Sequence, residues 1–169
     1  VPAQPTLTTI EIEGRPRDAV VQATKMGLLF VLDRDTGEPL HPVEERPVPS
    51  SGAVPSEVIS PTQPFPSIPA LARSSLEPED AWGFTPWDRG KCREQIESLN
   101  YEGLFTPPSL EGTIMYPGNA GGSNWGGIAV DPVRQLAFVR STNIAWVVEL
   151  IPREDYEDQK SARGGHGYG

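Results

Sequence analysis

Short runs in which apolar and polar positions alternate, rather than helical stripes, set the pattern of this chain. Ile10 and Ile12 alternate with Glu11 and Glu13, and Glu13-Gly14-Arg15-Pro16 supplies a turn into Ala19-Val20-Val21-Gln22-Ala23. Thr24-Lys25-Met26-Gly27 separates that strand from Leu28-Leu29-Phe30-Val31-Leu32. Two apolar runs four residues apart, with a glycine between them, predict a hairpin. The return strand ends on Asp33-Arg34-Asp35-Thr36-Gly37, a tight turn whose Asp and Thr side chains are suited to bond their own backbone. Residues 1–40 therefore predict a β-meander.

The pattern changes over residues 41–76. Pro42, Pro47, Pro49, Pro55, Pro61, Pro64, Pro66 and Pro69 predict neither ladder nor helix, because proline lacks a donor and fixes φ. Val54, Val58, Ile59, Phe65, Ile68 and Leu71 supply apolar groups to pin this connection to a neighbouring face, so an ordered, irregular loop is expected. Residues 77–100 hold the helical signal. Thr85 caps, Pro86 opens the first turn, and Cys92, Ile96 and Leu99 give an apolar stripe on which Cys92 reads as a buried structural thiol. A shorter helical turn is expected over Glu79-Asp80-Ala81-Trp82. Residues 101–153 return to strands: Gly112-Thr113-Ile114-Met115-Tyr116, Ile128-Ala129-Val130, Leu136-Ala137-Phe138-Val139, and the run from Ala145 to Ile151. An acidic, glycine-rich tail occupies residues 154–169, and its open end, with Val at position 1, favours a truncated chain.

The remaining strands are organised around Tyr116-Pro117-Gly118-Asn119 and the Gly/Asn-rich loop that leads to Trp125-Gly126-Gly127. Glycine allows backbone to approach a flat ligand, and Asn119 and Asn124 offer amide donors and acceptors. The stretch reads either as a ligand rim or as a tight loop between strands. Lys25, at a strand end beside Gly27, reads either as a solvated surface residue or as an ammonium aimed into a pocket.

Composition narrows the choices. Thirty-seven per cent hydrophobic residues, with 17 Gly and 19 Pro in 169 residues, predict a loop-rich chain. A formal net charge of −9 opposes nucleic acid and anionic membrane surfaces as partners, since no basic stripe is present to release counterions. A single cysteine excludes an intrachain disulfide, and His41 and His166, far apart in loops, give zinc no ligand set. The longest apolar runs fall far short of a bilayer span.

Gly27-Leu28-Leu29-Phe30-Val31-Leu32-Asp33 and Gly127-Ile128-Ala129-Val130-Asp131 share a rhythm of glycine, apolar strand and Asp-led turn. Repeated antiparallel strands in short hairpins fit the blades of a β-propeller better than a sandwich.

Several blocks carry a resemblance, in order along the chain. They are Val1-Pro2-Ala3-Gln4-Pro5, Thr24-Lys25-Met26-Gly27 through Thr36-Gly37, Ser60-Pro61-Thr62-Gln63-Pro64-Phe65, Tyr101-Glu102-Gly103 with Phe105-Thr106-Pro107-Pro108, and Pro117-Gly118-Asn119 with Trp125-Gly126-Gly127. Together they resemble the membrane-bound quinoprotein glucose dehydrogenases and their quinate dehydrogenase relatives. The resemblance implies an all-β fold, about two to three blades of an eight-bladed propeller with the Pro-rich loop and a short helix inserted. It implies pyrroloquinoline quinone (PQQ) as cofactor with calcium, a sugar, polyol or cyclic hydroxy acid as substrate, and ubiquinone as electron acceptor. It further implies a periplasmic enzyme anchored in the inner membrane by a segment outside this chain. By the family pattern Lys25 binds the quinone oxygens and acts in catalysis, and Asn119 contacts the cofactor. Asn124 belongs to the same rim, and Trp125 either stacks on the ring system or packs beneath it. The base, an Asp, and the calcium ligands are expected upstream of Val1. Asn124 departs from the glucose-specific members, where an acidic residue tends to precede the Trp, which leaves sugar specificity open. The isolated fragment is expected to be inactive, with exposed sheet edges and blade faces. The alternative is a non-catalytic propeller module for binding or scaffolding.

Overall fold

The computed structural model describes residues 3–158. The acidic run at residues 154–158 is solvated apart from the half-buried Tyr156, and the rest of the expected tail lies outside the described residues, as does His166. Among the described residues, nine short strands form four small antiparallel sheets: β1 (Thr6–Ile12), β2 (Arg15–Ala23) and β3 (Leu29–Asp33) in order, β4 (Val43–Pro47) with β5 (Thr62–Pro66), β6 (Thr113–Met115) with β9 (Trp146–Val148), and β7 (Ile128–Asp131) with β8 (Leu136–Val139). Helix α1 (Pro86–Ser98) and a 3₁₀ turn at Pro78–Asp80 interrupt them among the described residues, and residues 156–158 are also helical. The chain is thus mainly β, as its alternation predicts.

The core lies on one face of the first sheet. Ala19, Val21 and Ala23 on β2 pair with Asp33, Val31 and Leu29 on β3, and all six point to the same side and are buried. That is the period-2 rule acting on both strands at once. Ile68 and Leu71 from the Pro-rich segment and Ile128 and Val139 from the β7–β8 hairpin pack onto this face. Each fully buried Val or Leu there stabilises the fold by about 1.5–3 kcal/mol.

Asp33 closes the sheet. Its Oδ1 accepts from the Asp35 and Thr36 N–H groups at 3.1 and 3.0 Å and from the Thr36 hydroxyl at 3.2 Å, and its Oδ2 accepts from Arg17 at 2.7 Å. The Arg17 guanidinium first, then the turn N–H groups, lower its carboxyl to about 2. A carboxyl depressed in the folded state contributes stability above its ordinary value of 3.8, and that stability is lost as pH falls through about 2. Asp33→Asn is therefore expected to lower the melting temperature at neutral pH. It is also expected to flatten the fall in stability between pH 4 and 2, as followed by thermal melts across that range.

Asp131 repeats the device in the β7–β8 turn. Its Oδ1 accepts from the Val133 and Arg134 N–H groups, both at 3.0 Å, and these bonds with the Arg134 side chain lower its carboxyl. Gln135, at φ 55°, takes the left-handed position that Gly37, at φ 77°, takes in the first turn. Its side chain offsets the backbone cost by accepting from the Glu11 N–H at 2.8 Å, which ties this hairpin to β1. The internal rhythm seen in the sequence is thus a structural one.

Two expectations are corrected. Residues 41–76 do hold a ladder, since β4 pairs with β5 from Val43↔Pro66 to Pro47↔Thr62. Val48 N–H donates to Pro61 O at 3.1 Å and Ser67 N–H to Pro42 O at 2.8 Å, so positions 42, 44, 46 and 48 form the hydrogen-bonded set. Pro47, Pro64 and Pro66 all fall in the other set, where the nitrogen faces away from the partner strand and a missing donor costs no ladder bond. Within the segment, Val58 is exposed and pins nothing.

The second correction concerns α1. Thr85 caps it as expected, accepting from the Asp88 N–H at 3.2 Å, with Pro86 in the first turn. None of its residues is buried, however, and Cys92 and Ile96 are only half-buried. The stripe rests lightly on the surface, and Arg93 links the helix to Glu79 and to its own Glu97 at 3.1 and 2.9 Å. Such exposed pairs add little to stability, because solvent screens them.

Leu136, Phe138, Ile144, Trp146 and Val147 leave large apolar area in solvent around β8 and β9. Exposed apolar faces beside two-stranded sheets are what separated propeller blades would present.

Candidate functional site

The turn between β2 and β3 meets the glycine-rich loop at backbone distance. Gly122 N–H donates to the Lys25 carbonyl at 2.6 Å, Leu71 N–H donates to Gly27 O at 2.7 Å, and Thr142 N–H donates to Gly122 O at 2.9 Å. The Thr142 hydroxyl also donates to Gly121 O. Glycine is required at this junction. A Cβ on Gly27, which sits at φ 76°, would lie 2.8 Å from the Ala72 Cβ, and one on Gly122 would lie 2.7 Å from the same atom. On Gly121 it would meet Lys25 Cγ at 2.9 Å. The loop thereby fixes where the Lys25 stem leaves the sheet.

Lys25 is half-buried, and its ammonium donates to the Asn119 carbonyl at 2.9 Å, with Asn119 Oδ1 at 3.4 Å. An ammonium has three donors, so donor capacity remains for an anionic or carbonyl oxygen. Lys25 and Asn119 line a cavity of about 240 Å³ with Met26, Phe105, Tyr116 and Pro117, and the Tyr116–Pro117 peptide is cis.

Asn124 and Trp125 open onto a neighbouring cavity of about 270 Å³, with Gly121, Gly126, Arg140 and Thr142. The Asn124 amide N–H donates to Ala120 O at 2.8 Å, while its buried Oδ1 has no partner, and neither has the buried Ser123 hydroxyl. Trp125 is 83% exposed, so its indole is not packed beneath anything within the described chain. The four residues singled out from the sequence are thus brought to one loop but divide into two pairs. Lys25 and Asn119 touch, whereas Asn124 and Trp125 face the second hollow.

Arg140 and Thr142 were missed by sequence reasoning. They follow β8, about 20 residues beyond the loop, and no local motif marks them. Only the backbone bonds from Thr142 reveal the return of the chain. Ala72, which sets the spacing under Gly27 and Gly122, was likewise invisible inside a Pro-rich segment. Among the described residues, no group of three or more His, Cys, Asp or Glu is arranged to hold a metal ion, and no helix is long and apolar enough to cross a membrane.

Four small sheets with repeated Asp-led turns and a polar glycine loop define a partial β-propeller with a ligand-sized rim. The chain belongs to the family described as PQQ, glucose/ethanol/alcohol dehydrogenase, beta-propeller domain, which matches residues 1–169. It is 41% identical to the quinoprotein glucose dehydrogenase of Escherichia coli (strain K12) over 167 residues, 97% of this chain and 21% of that protein. It is 48% identical to the glycerol dehydrogenase large subunit of Gluconobacter oxydans (strain 621H) over 148 residues, 86% of this chain and 20% of that one. It is 37% identical to the quinate/shikimate dehydrogenase (quinone) of Acinetobacter baylyi over 167 residues, 98% of this chain and 20% of that one. The chain thus spans about a fifth of the length of the curated relatives it matches. No solved structure matches it.

The residues present fit the quinone that the family implies, on one point in each hollow. The Lys25 ammonium keeps donor capacity for an oxygen-rich ring in the first, and the exposed Trp125 indole beside Gly126 offers a flat face in the second.

Proposed function

We propose that this chain supplies part of the cofactor site of a PQQ-dependent dehydrogenase that oxidises the CH–OH group of a sugar, polyol or cyclic hydroxy acid. The contact between Lys25 and Asn119, held by the Gly121–Gly122 backbone, carries this reading. PQQ, when bound, supplies the carbonyl that accepts the hydride of the alcohol carbon. Lys25 holds a positive charge where negative charge develops on oxygen, a role that strengthens in a site closed to water. Asn119 orients that ammonium through its main-chain carbonyl and side-chain oxygen. Asn124 shapes the neighbouring hollow, and Trp125 offers a flat face. The residues 41–76 connection, the residues 77–100 insertion and the strands of residues 101–153 are read as one partial propeller domain completed by further blades of a longer chain.

The proton of the substrate hydroxyl is assigned to a carboxylate outside this chain, as are the ligands of the calcium ion. Electrons pass onward to ubiquinone, and the enzyme is placed in the periplasm on the inner membrane. This finer reading rests on the resemblance of the blocks around Lys25, Asn119 and Trp125.

Dye-linked dehydrogenase activity of the complete gene product, with PQQ and calcium added, tests the proposal across glucose, glycerol and quinate. Activity that requires the quinone on at least one of them is the expected result. A folded protein that binds no quinone and oxidises none of them would instead be a non-catalytic propeller module.

A further inference from the structure

We propose that Arg140 is a carboxylate-binding residue of the second cavity, which makes that cavity the place where a ring compound bearing a carboxylate is read. The inference deepens the proposed function and rests on it for the identity of the ring. Arg17, Arg34, Arg46, Arg73, Arg93 and Arg134 each hold a carboxylate at 2.6–3.1 Å. Arg140, like Arg15, Arg89 and Arg153, is without a carboxylate ion pair among the described residues, but of these four it is the one that lines this cavity, where it is exposed. A guanidinium presents five donors in a planar fork that matches a carboxylate, and here that fork is unspent.

The other groups in the same hollow describe the rest of the ligand. Asn124 also lines the hollow, held by its amide N–H on Ala120 O at 2.8 Å. The Trp125 indole, 83% exposed, offers a face to a ring. The Thr142 hydroxyl, spent on Gly121 O, keeps the cavity floor in place rather than competing for the ligand. One cation and one aromatic face select a ring that carries a carboxylate. A neutral sugar would leave the guanidinium unpaired. That chemistry has two sources in a quinoprotein dehydrogenase, the carboxylates of PQQ and the carboxylate of a cyclic hydroxy-acid substrate.

Fluorescence titrations of the complete gene product without quinone distinguish the sources. Quinate, its uncharged methyl ester and PQQ are each titrated into wild type, Arg140→Gln and Arg140→Lys. Loss of one charge-assisted contact is expected to weaken the carboxylate ligand by about 10- to 100-fold in Arg140→Gln, with much of the affinity recovered in Arg140→Lys. Weaker quinate with unchanged PQQ identifies the substrate carboxylate, and weaker PQQ with unchanged quinate identifies the cofactor carboxylate. The inference is overturned if wild type does not prefer quinate to its ester and PQQ binding ignores Arg140. It is overturned equally if both variants lose affinity alike together with melting temperature, because Arg140 is then structural. If wild type binds no PQQ, the quinone reading fails, while quinate against its ester still decides the role of Arg140.

Discussion

Lys25→Ala in the complete gene product is expected to lower kcat for dye-linked alcohol oxidation by about 100- to 1000-fold, the usual cost of deleting one preorganised electrostatic donor. Its melting temperature is expected to stay close to that of the wild type. The separation follows from which part of Lys25 does which job. The backbone carbonyl takes the Gly122 N–H at 2.6 Å, and that bond survives truncation of the side chain. Among the described residues the ammonium's hydrogen bonds go to Asn119, at 2.9 and 3.4 Å, so its removal unties a loop residue without opening the core. Lys25→Arg keeps the charge but carries a bulkier, planar head into a space set by Gly121, and an intermediate rate is expected. Steady-state rates with saturating quinone, read beside thermal melts, make the comparison. A parallel fall of rate and stability would assign Lys25 to the scaffold.

The second large effect is on the fold. Gly27→Val is expected to destabilise the protein and to weaken quinone binding together. Overpacking typically costs about 1–3 kcal/mol, and a left-handed backbone adds about 1–2 kcal/mol for a residue with a Cβ. Gly27 meets both conditions, with φ 76° and Ala72 Cβ and N at 2.8 and 3.0 Å from its virtual Cβ. Ala72 is itself buried, and its segment is tied down by the bond from Leu71 N–H to Gly27 O at 2.7 Å, so the neighbour has little room to retreat. Gly126→Ala serves as the comparison, because a Cβ there meets nothing within 4 Å. Denaturation midpoints of the two variants should differ clearly, with Gly126→Ala near wild type.

Much of this architecture is legible from local pattern. The alternation at Ile10 to Glu13 and the Asp33 and Asp131 turns need only neighbours in sequence, so β1–β3, β7 and β8 follow directly from the residues. The β4–β5 hairpin is hidden because proline argues against strands on average. What matters is the parity of each proline in the register, and parity is unknown until the partner strand is known. The stripe of α1 misleads for a related reason: Cys92 and Ile96 share a face that no opposing layer of described residues buries, and Leu99 lies beyond the helix as its extended C-cap.

The site divides in the same way. Asn119, Asn124 and Trp125 sit on one Gly/Asn loop and can be found there. Lys25 gains meaning from the resemblance and from a contact 94 positions away. Arg140 and Thr142 have no signal in their own neighbourhood, since β8 returns them to the loop only through tertiary structure.

The central claim is that the Lys25–Asn119 contact and its glycine loop bind a quinone. Equilibrium titration of the quinone-free complete gene product with PQQ, for wild type and Lys25→Ala, tests it most directly. Saturable binding that weakens by about tenfold or more in the variant is the predicted result, as expected for losing a charged hydrogen bond. Binding that is absent from a folded wild type, or equally tight in Lys25→Ala, would contradict it.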